Sequence, residues 1–425
     1  MSFHLETAVV TCPSEYLFDF SVNEDGSKLV ISDSSNSLNI LDSTTLQLQS
    51  KISAHSDTIN DIECSKASPF LIYSASSDGN VCLWDMRQAD KAALRFKIPD
   101  EVYTLSVSYS DTLLTTAYDS SILFFDLRRS GGVGDDSSSS YKTHKHKLGE
   151  YSDMHSDLIT QLEFNPSNPN ILASGADDGL ICLFDTSVAA QEDAVMSILN
   201  TECPVRKFGY FGANHEGMYA LSTVETVSVW HYPSAQRMAQ FPSIREELSV
   251  DYLVDCMFDA RQDGLLLLAG THDGNALVVS IEPSGVRVLS TLSCPGGNGH
   301  SSTIRCCTSV GSTTAPECAS VFFLTGGEDS RICKWSLKTR EKNSSSSCSS
   351  TSLLNHQVKR VTSGGEDISR SSSNSSSTSS SSSSSTSSSS NNSSSSSNNK
   401  RSTSSASTKV KTSSKSSSVL RHKPY

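Results

Sequence analysis

A thirteen-residue pattern occurs three times in this chain, and that recurrence restricts its fold more than any other feature. Residues 73–85 read Tyr-Ser-Ala-Ser-Ser-Asp-Gly-Asn-Val-Cys-Leu-Trp-Asp, residues 173–185 Ala-Ser-Gly-Ala-Asp-Asp-Gly-Leu-Ile-Cys-Leu-Phe-Asp, and residues 324–336 Leu-Thr-Gly-Gly-Glu-Asp-Ser-Arg-Ile-Cys-Lys-Trp-Ser. A histidine precedes each, at His55, His155 and His300. Weaker copies run from Leu29 to Asp42, Leu113 to Asp126, Met218 to His231 and Leu265 to Ser280. The spacing of these seven copies, roughly 40 to 60 residues, is that of a stacked β architecture. Within one copy a short apolar strand meets Asp-Gly or Asp-Ser, residues that tolerate the positive φ of a tight hairpin. An alternating, β-branched strand follows.

One small sheet of this kind cannot bury both of its faces. Stacking the sheets radially around a channel buries each against its neighbours. The predicted fold is therefore all-β, a seven-bladed β-propeller over residues 1–340, with an inserted loop at 129–150 between the third and fourth blades. After Trp335 only a few residues precede a low-complexity stretch, so the last sheet is one strand short. The strand-like residues 3–10 are expected to supply the missing outer strand and remove an exposed edge. Residues 341–425, rich in Ser and Asn, cannot bury enough apolar surface to fold and are expected to form a disordered tail.

The polar residues of the best copies fall into sets. His55, Ser74, Asp78 and Trp84 form one, and His300, Thr325, Asp329 and Trp335 another. A buried indole N–H, a hydroxyl, an imidazole and a carboxylate can satisfy one another in such a group. His155, Ser174 and Asp178 form a third set in which Phe184 stands where the indole would be, removing its N–H donor. The recurring Cys82, Cys182 and Cys333 read as buried strand residues.

These repeats resemble those of the WD40 superfamily. Within it the chain resembles the WD repeat-containing protein 89 family, on the strength of residues 149–170 (Gly-Glu-Tyr-Ser-Asp-Met-His-Ser-Asp-Leu-Ile-Thr-Gln-Leu-Glu-Phe-Asn-Pro-Ser-Asn-Pro-Asn), with Asp251-Tyr-Leu-Val-Asp255 and Thr325-Gly-Gly-Glu-Asp329 in support. The likeness spans about residues 15 to 340 and implies a propeller fold, and it bears far less on the role.

Charge and cysteine content narrow the function. The chain carries a net −12. Eleven basic and three acidic residues from Glu341 onward give that region +8, leaving −20 for the remainder. Such an acidic body repels nucleic-acid phosphates and favours basic partners. Twelve cysteines without a secretory leader suit a reducing compartment, cytosol or nucleus. No apolar run approaches the roughly 18 residues of a membrane span. His144 and His146 read as part of a solvated loop, with no metal or cofactor expected. By itself the chain is expected to be monomeric.

Asp, His and Ser occur together in every good copy, which could suggest a catalytic triad. Catalytic groups occur once, however, whereas these recur per blade, so the expectation is a non-catalytic scaffold that assembles proteins. An alternative rests on Trp84-Asp85-Met86-Arg87 and its neighbour Phe125-Asp126-Leu127-Arg128. The first resembles the Trp-Asp-x-Arg box of substrate receptors in cullin-RING ubiquitin ligases. Arg87 and Arg128 would then contact carboxylates of a propeller adaptor.

Overall fold

The structure, a computed structural model, describes residues 2–88, 91–128, 146–260, 263–293, 297–310 and 322–338. The chain divides into two units, Met1–Ser363 and Gly364–Tyr425, and every described residue belongs to the first. The expected tail lies outside the described residues.

Seven four-stranded antiparallel sheets make up the described fold. Sheet 1 runs from Leu17–Val22 to Leu48–Ser53, sheet 2 from Ile59–Cys64 to Leu94–Lys97, and sheet 3 from Thr104–Val107 to Lys147–Tyr151. Sheet 4 runs from Ile159–Phe164 to Val195–Asn200, sheet 5 from Val205–Phe211 to Gln236–Phe241, and sheet 6 from Tyr252–Asp259 to Gly285–Leu292. The first strand of each sheet touches the first strands of both neighbours, and the circuit closes between sheets 7 and 1. These first strands therefore line the axis of a seven-bladed propeller.

Sheet 7 takes three strands, Ile304–Val310, Phe322–Gly327 and Arg331–Lys338, from the end of the ring and a fourth, Ser2–Val10, from its start. The join is antiparallel, with Phe3 opposite Leu337 and Val10 opposite Arg331. Phe3 is buried, its ring edge-on to Phe323 at 5.0 Å. Its N–H donates to Ser290 Oγ of sheet 6 at 3.1 Å.

The hydrophobic core is distributed as seven clusters, one at each junction between sheets. At the junction of sheets 2 and 3, for example, Tyr73, Leu83 and Phe96 pack on Leu105, Leu114 and Phe125. The alternation along each strand explains this: neighbouring residues point to opposite faces, and both faces meet another sheet. The turn between second and third strands holds a positive-φ residue in all seven sheets: Asn36, Gly79, Asp119, Gly179, Glu225, Gly274 and Ser330. Glycine is sterically required at Gly274, where a Cβ would lie 2.6 Å from the backbone of His300 in the loop entering the next sheet.

One boundary differs from the sequence expectation. Residues 129–145 lie outside the described region, but Lys147–Tyr151, placed in the inserted loop, is the outer strand of sheet 3. His146 is correspondingly no solvated loop residue. It is 1% exposed, pairs through Nδ1 with the Asp126 carbonyl at 2.8 Å, and stands edge-on to Phe96. Burial between two blades, more than any polar pattern, decides its place.

Candidate functional site

Three polar sets occupy equivalent places at one rim. In sheet 2, His55 Nδ1 lies 3.0 Å from Asp78 and Nε2 2.7 Å from Ser74 Oγ, which also accepts the Trp84 indole N–H at 2.9 Å. In sheet 7, His300 pairs with Asp329 at 3.0 Å and with Thr325 Oγ1 at 2.8 Å, and the Trp335 indole donates to the same hydroxyl at 2.8 Å. In sheet 4, His155 pairs with Asp178 at 3.0 Å and Ser174 at 2.7 Å, and Phe184 leaves the hydroxyl without an indole donor. One proton arrangement satisfies each set: Nδ1–H donates to the carboxylate, and Nε2 accepts the hydroxyl proton. Burial lowers the His55 and His155 pKa, against the pull of their aspartates, and favours the neutral imidazole that this arrangement needs. The aspartate also takes a loop N–H, from Ser56, Ser156 or Ser301. The set thus ties the loop entering a sheet to that sheet's central hairpin. The histidine side chains are 0–1% exposed, which leaves no approach for a substrate.

Sheet 1 lacks the histidine and solves the same problem differently. Asp33 accepts from Asn39 at 2.8 Å and Lys51 at 3.1 Å, and its pKa is lowered in spite of burial by Ser35, Asn39 and Lys51.

Arg87 and Arg128 lie at the opposite rim, each two residues beyond the third strand of its sheet. Arg87 makes a forked pair with Asp85, at 2.8 and 2.6 Å, and lies over the Phe70 ring at 4.6 Å. Arg128 forms the same fork with Asp126, at 3.0 and 3.3 Å. Both side chains are well exposed, but their forks are already turned onto the preceding aspartates.

The sequence led to a channel but not to its polar lining. A cavity of about 360 Å³ lies along the innermost strands of sheets 1 to 5. At the third residue of the successive inner strands, or its counterpart, stand Asp19, Asp61, Thr104, Gln161, Lys207, Asp255 and Cys306. In every inner strand except that of sheet 3 a register shift marks this position. Two residues further on, Ser21, Glu63, Ser106 and Glu163 come from sheets 1 to 4.

These side chains knit adjacent inner strands together. The Leu105 N–H donates to Asp61 at 2.8 Å, Leu162 N–H to Thr104 Oγ1 at 2.9 Å, and Phe208 N–H to Gln161 at 2.8 Å. Deeper, Cys64 N–H donates to Ser21 at 2.8 Å, Val107 N–H to Glu63 at 2.9 Å, and Phe164 N–H to Ser106 at 3.1 Å. Burial pushes the Asp61 carboxyl up to about 7, with help from the Asp19 charge. Burial pushes Glu163 up to about 8, aided by Glu63 and Asp255 and opposed by Lys66 and Lys207. Burial works against the charge on Lys207, yet Asp255, 2.7 Å away, and Asp19 raise its pKa. Among the described residues no group of three or more His, Cys, Asp and Glu could hold a metal. No helix there is long and apolar enough to cross a membrane.

Comparison with known proteins agrees with this architecture. The family profile described as "WD domain, G-beta repeat" matches residues 46–85 and 147–185. Each match covers an outer strand and the first three strands of the following sheet. The chain is 29% identical over 336 residues to WD repeat-containing protein GTS1 of Arabidopsis thaliana, covering 76% of this chain and 81% of that protein. It is 24% identical over 335 residues to the WD repeat-containing protein 89 homolog of Dictyostelium discoideum, covering 76% and 82%. A shorter match, 30% over 174 residues, covers 40% of this chain and 39% of histone acetyltransferase type B subunit 2 of Debaryomyces hansenii. With seven sheets closed in a ring, tetrads at the turns and these matches, the chain is a WD40-repeat β-propeller of the non-catalytic, protein-binding kind.

Proposed function

We propose that the protein is a scaffold assembling other proteins on an acidic propeller, within the branch typified by WD repeat-containing protein 89. The observation that carries this reading is the closure of the His-Asp-Ser/Thr sets. They repeat around the ring and are sealed from solvent, so they hold loops in place and leave binding to the rims and channel. The net −20 outside the basic region favours basic partners and disfavours nucleic acid. The nine described cysteines are free thiols, in keeping with the cytosol or nucleus.

A second reading, a substrate receptor of a cullin-RING ligase, is favoured by the exposure of Arg87 and Arg128 on one rim of adjacent blades. Each guanidinium would have to share its donors between its own aspartate and the adaptor. Affinity purification of the tagged protein tests both. Stoichiometric recovery of partners without an adaptor or cullin supports the scaffold. Recovery of a propeller adaptor and a cullin, abolished by Arg87→Ala with Arg128→Ala, supports the receptor. A monomeric protein that recovers nothing above background refutes both.

A further inference from the structure

Four of the five acids in the channel have structural employment. Asp61 and Glu63 accept N–H groups from sheet 3, Asp19 accepts from Phe20, and Asp255 holds Lys207 and the Tyr219 hydroxyl. Glu163 is the exception. Its counterparts Ser21, Glu63 and Ser106 each accept a backbone N–H from the next blade, whereas Glu163 accepts no hydrogen bond from any described residue. The Tyr210 hydroxyl on the following inner strand is buried and likewise without a partner, as is Arg206 Nε on the cavity wall. Every channel acid but this one thus accepts a hydrogen bond from a described residue. Toward the tetrad rim the same cavity is lined by Phe18 and Tyr103, whose ring faces attract cations. From Thr160 to Glu163 is three strand residues, about 10 Å, so an occupant must be a narrow stem with its charge at the tip.

Resting on the scaffold reading, we infer that the channel takes a lysine or arginine side chain of a partner protein, with Glu163 as its counter-ion. The ammonium or guanidinium enters past Phe18 and Tyr103 and supplies the hydrogen bonds that Glu163 lacks. The groups acting on Glu163 are Glu63, Asp255, Lys66 and Lys207, with the hydroxyls of Tyr109, Tyr210 and Tyr219. With its carboxyl up at about 8, the empty site is protonated at neutral pH, so a cation binds with release of a proton. Affinity accordingly rises with pH up to about 8 and then levels.

Calorimetric titration of the full chain with tetralysine, tetra-arginine and tetraglutamate tests the inference. The expected result is binding of the basic peptides alone. That affinity should rise between pH 6 and 8, and both the affinity (at least tenfold) and the rise above pH 7 should be lost in Glu163→Gln. Glu163→Ala gives the same reading should the glutamine variant fold poorly. Equal binding by wild type and variants assigns the peptides to the acidic rims and overturns the inference, as does no binding to wild type. Wild-type protein that ignores the peptides yet recovers partners from an extract refutes the channel site and leaves the scaffold standing. Glu163-dependent peptide binding by a protein that recovers no partners does the reverse.

Discussion

Trp84 shows how a single side chain serves packing and polarity together. Its ring belongs to the core between sheets 1 and 2, and its N–H ends a four-member chain through Ser74 and His55 to Asp78. Trp84→Ala should cost about 3–5 kcal/mol in urea unfolding, as large aromatic truncations do. Trp84→Phe should cost only about 1 kcal/mol beyond the lost ring volume, the net worth of one hydrogen bond. Sheet 4 already lives with Phe184 in this position, which is why the milder change is tolerable. Equal losses for the two variants would mean that the indole N–H contributes nothing separable. The channel carboxyls act on stability with a definite sign. Glu163 has a native pKa raised to about 8 from 4.5, so its folded form is favoured at low pH, and stability drains away as pH rises between those values. The buried His55 and His155, lowered from 6.5, lose stability in the other direction, as pH falls below about 6.5. Glu163→Gln should therefore stabilise the protein by about 1–3 kcal/mol at pH 9, the order expected for an uncompensated buried polar group, and change little at pH 4. A variant that melts lower at pH 9 would show that the carboxylate is itself a stabilising contact.

Among the elements, Ser2–Val10 has the largest consequence for its size. It covers the edge of Arg331–Lys338 and brings Phe3 into the cluster between sheets 6 and 7. Removing residues 1–12 should lower stability by several kcal/mol, on the order of the strand's apolar burial, and promote self-association through the bared edge. An unchanged melting temperature with a monomeric product would show that three strands suffice for sheet 7. This join was legible in the sequence because the last repeat runs out one strand early. The tetrad residues were legible because the same residue types recur at the same offsets. The inner ring was not, because its members share a position and not a chemistry: Asp19, Thr104, Gln161, Lys207 and Cys306 hold equivalent places with different side chains. The signal that could have found them is a polar residue two places after the apolar residue that opens the inner strands of sheets 1, 2, 4 and 5. His146 was misread for a related reason, since a polar residue beside a long insertion gives no hint of the blade that covers it.

At the scale of the whole molecule, each sequence repeat straddles two blades, and the ring is complete only when its two ends meet. The repeat pattern disclosed seven copies and hence the ring. It was silent on the lining of the channel, which arises from side chains gathered from sheets far apart in sequence. The same closure has a consequence in time. During synthesis Ser2–Val10 is made early, but its partner strand begins at Arg331, about 320 residues later. At about 5–20 residues per second, roughly 15 to 65 s pass before the two can meet. Throughout that interval the ribosome carries a β-prone segment with nothing to pair with, alongside blades whose flanks face water in place of a neighbour. The newborn chain is thus most exposed to aggregation through the strand made long before its partner, and its safe arrival depends on whatever shields that strand until the circle shuts.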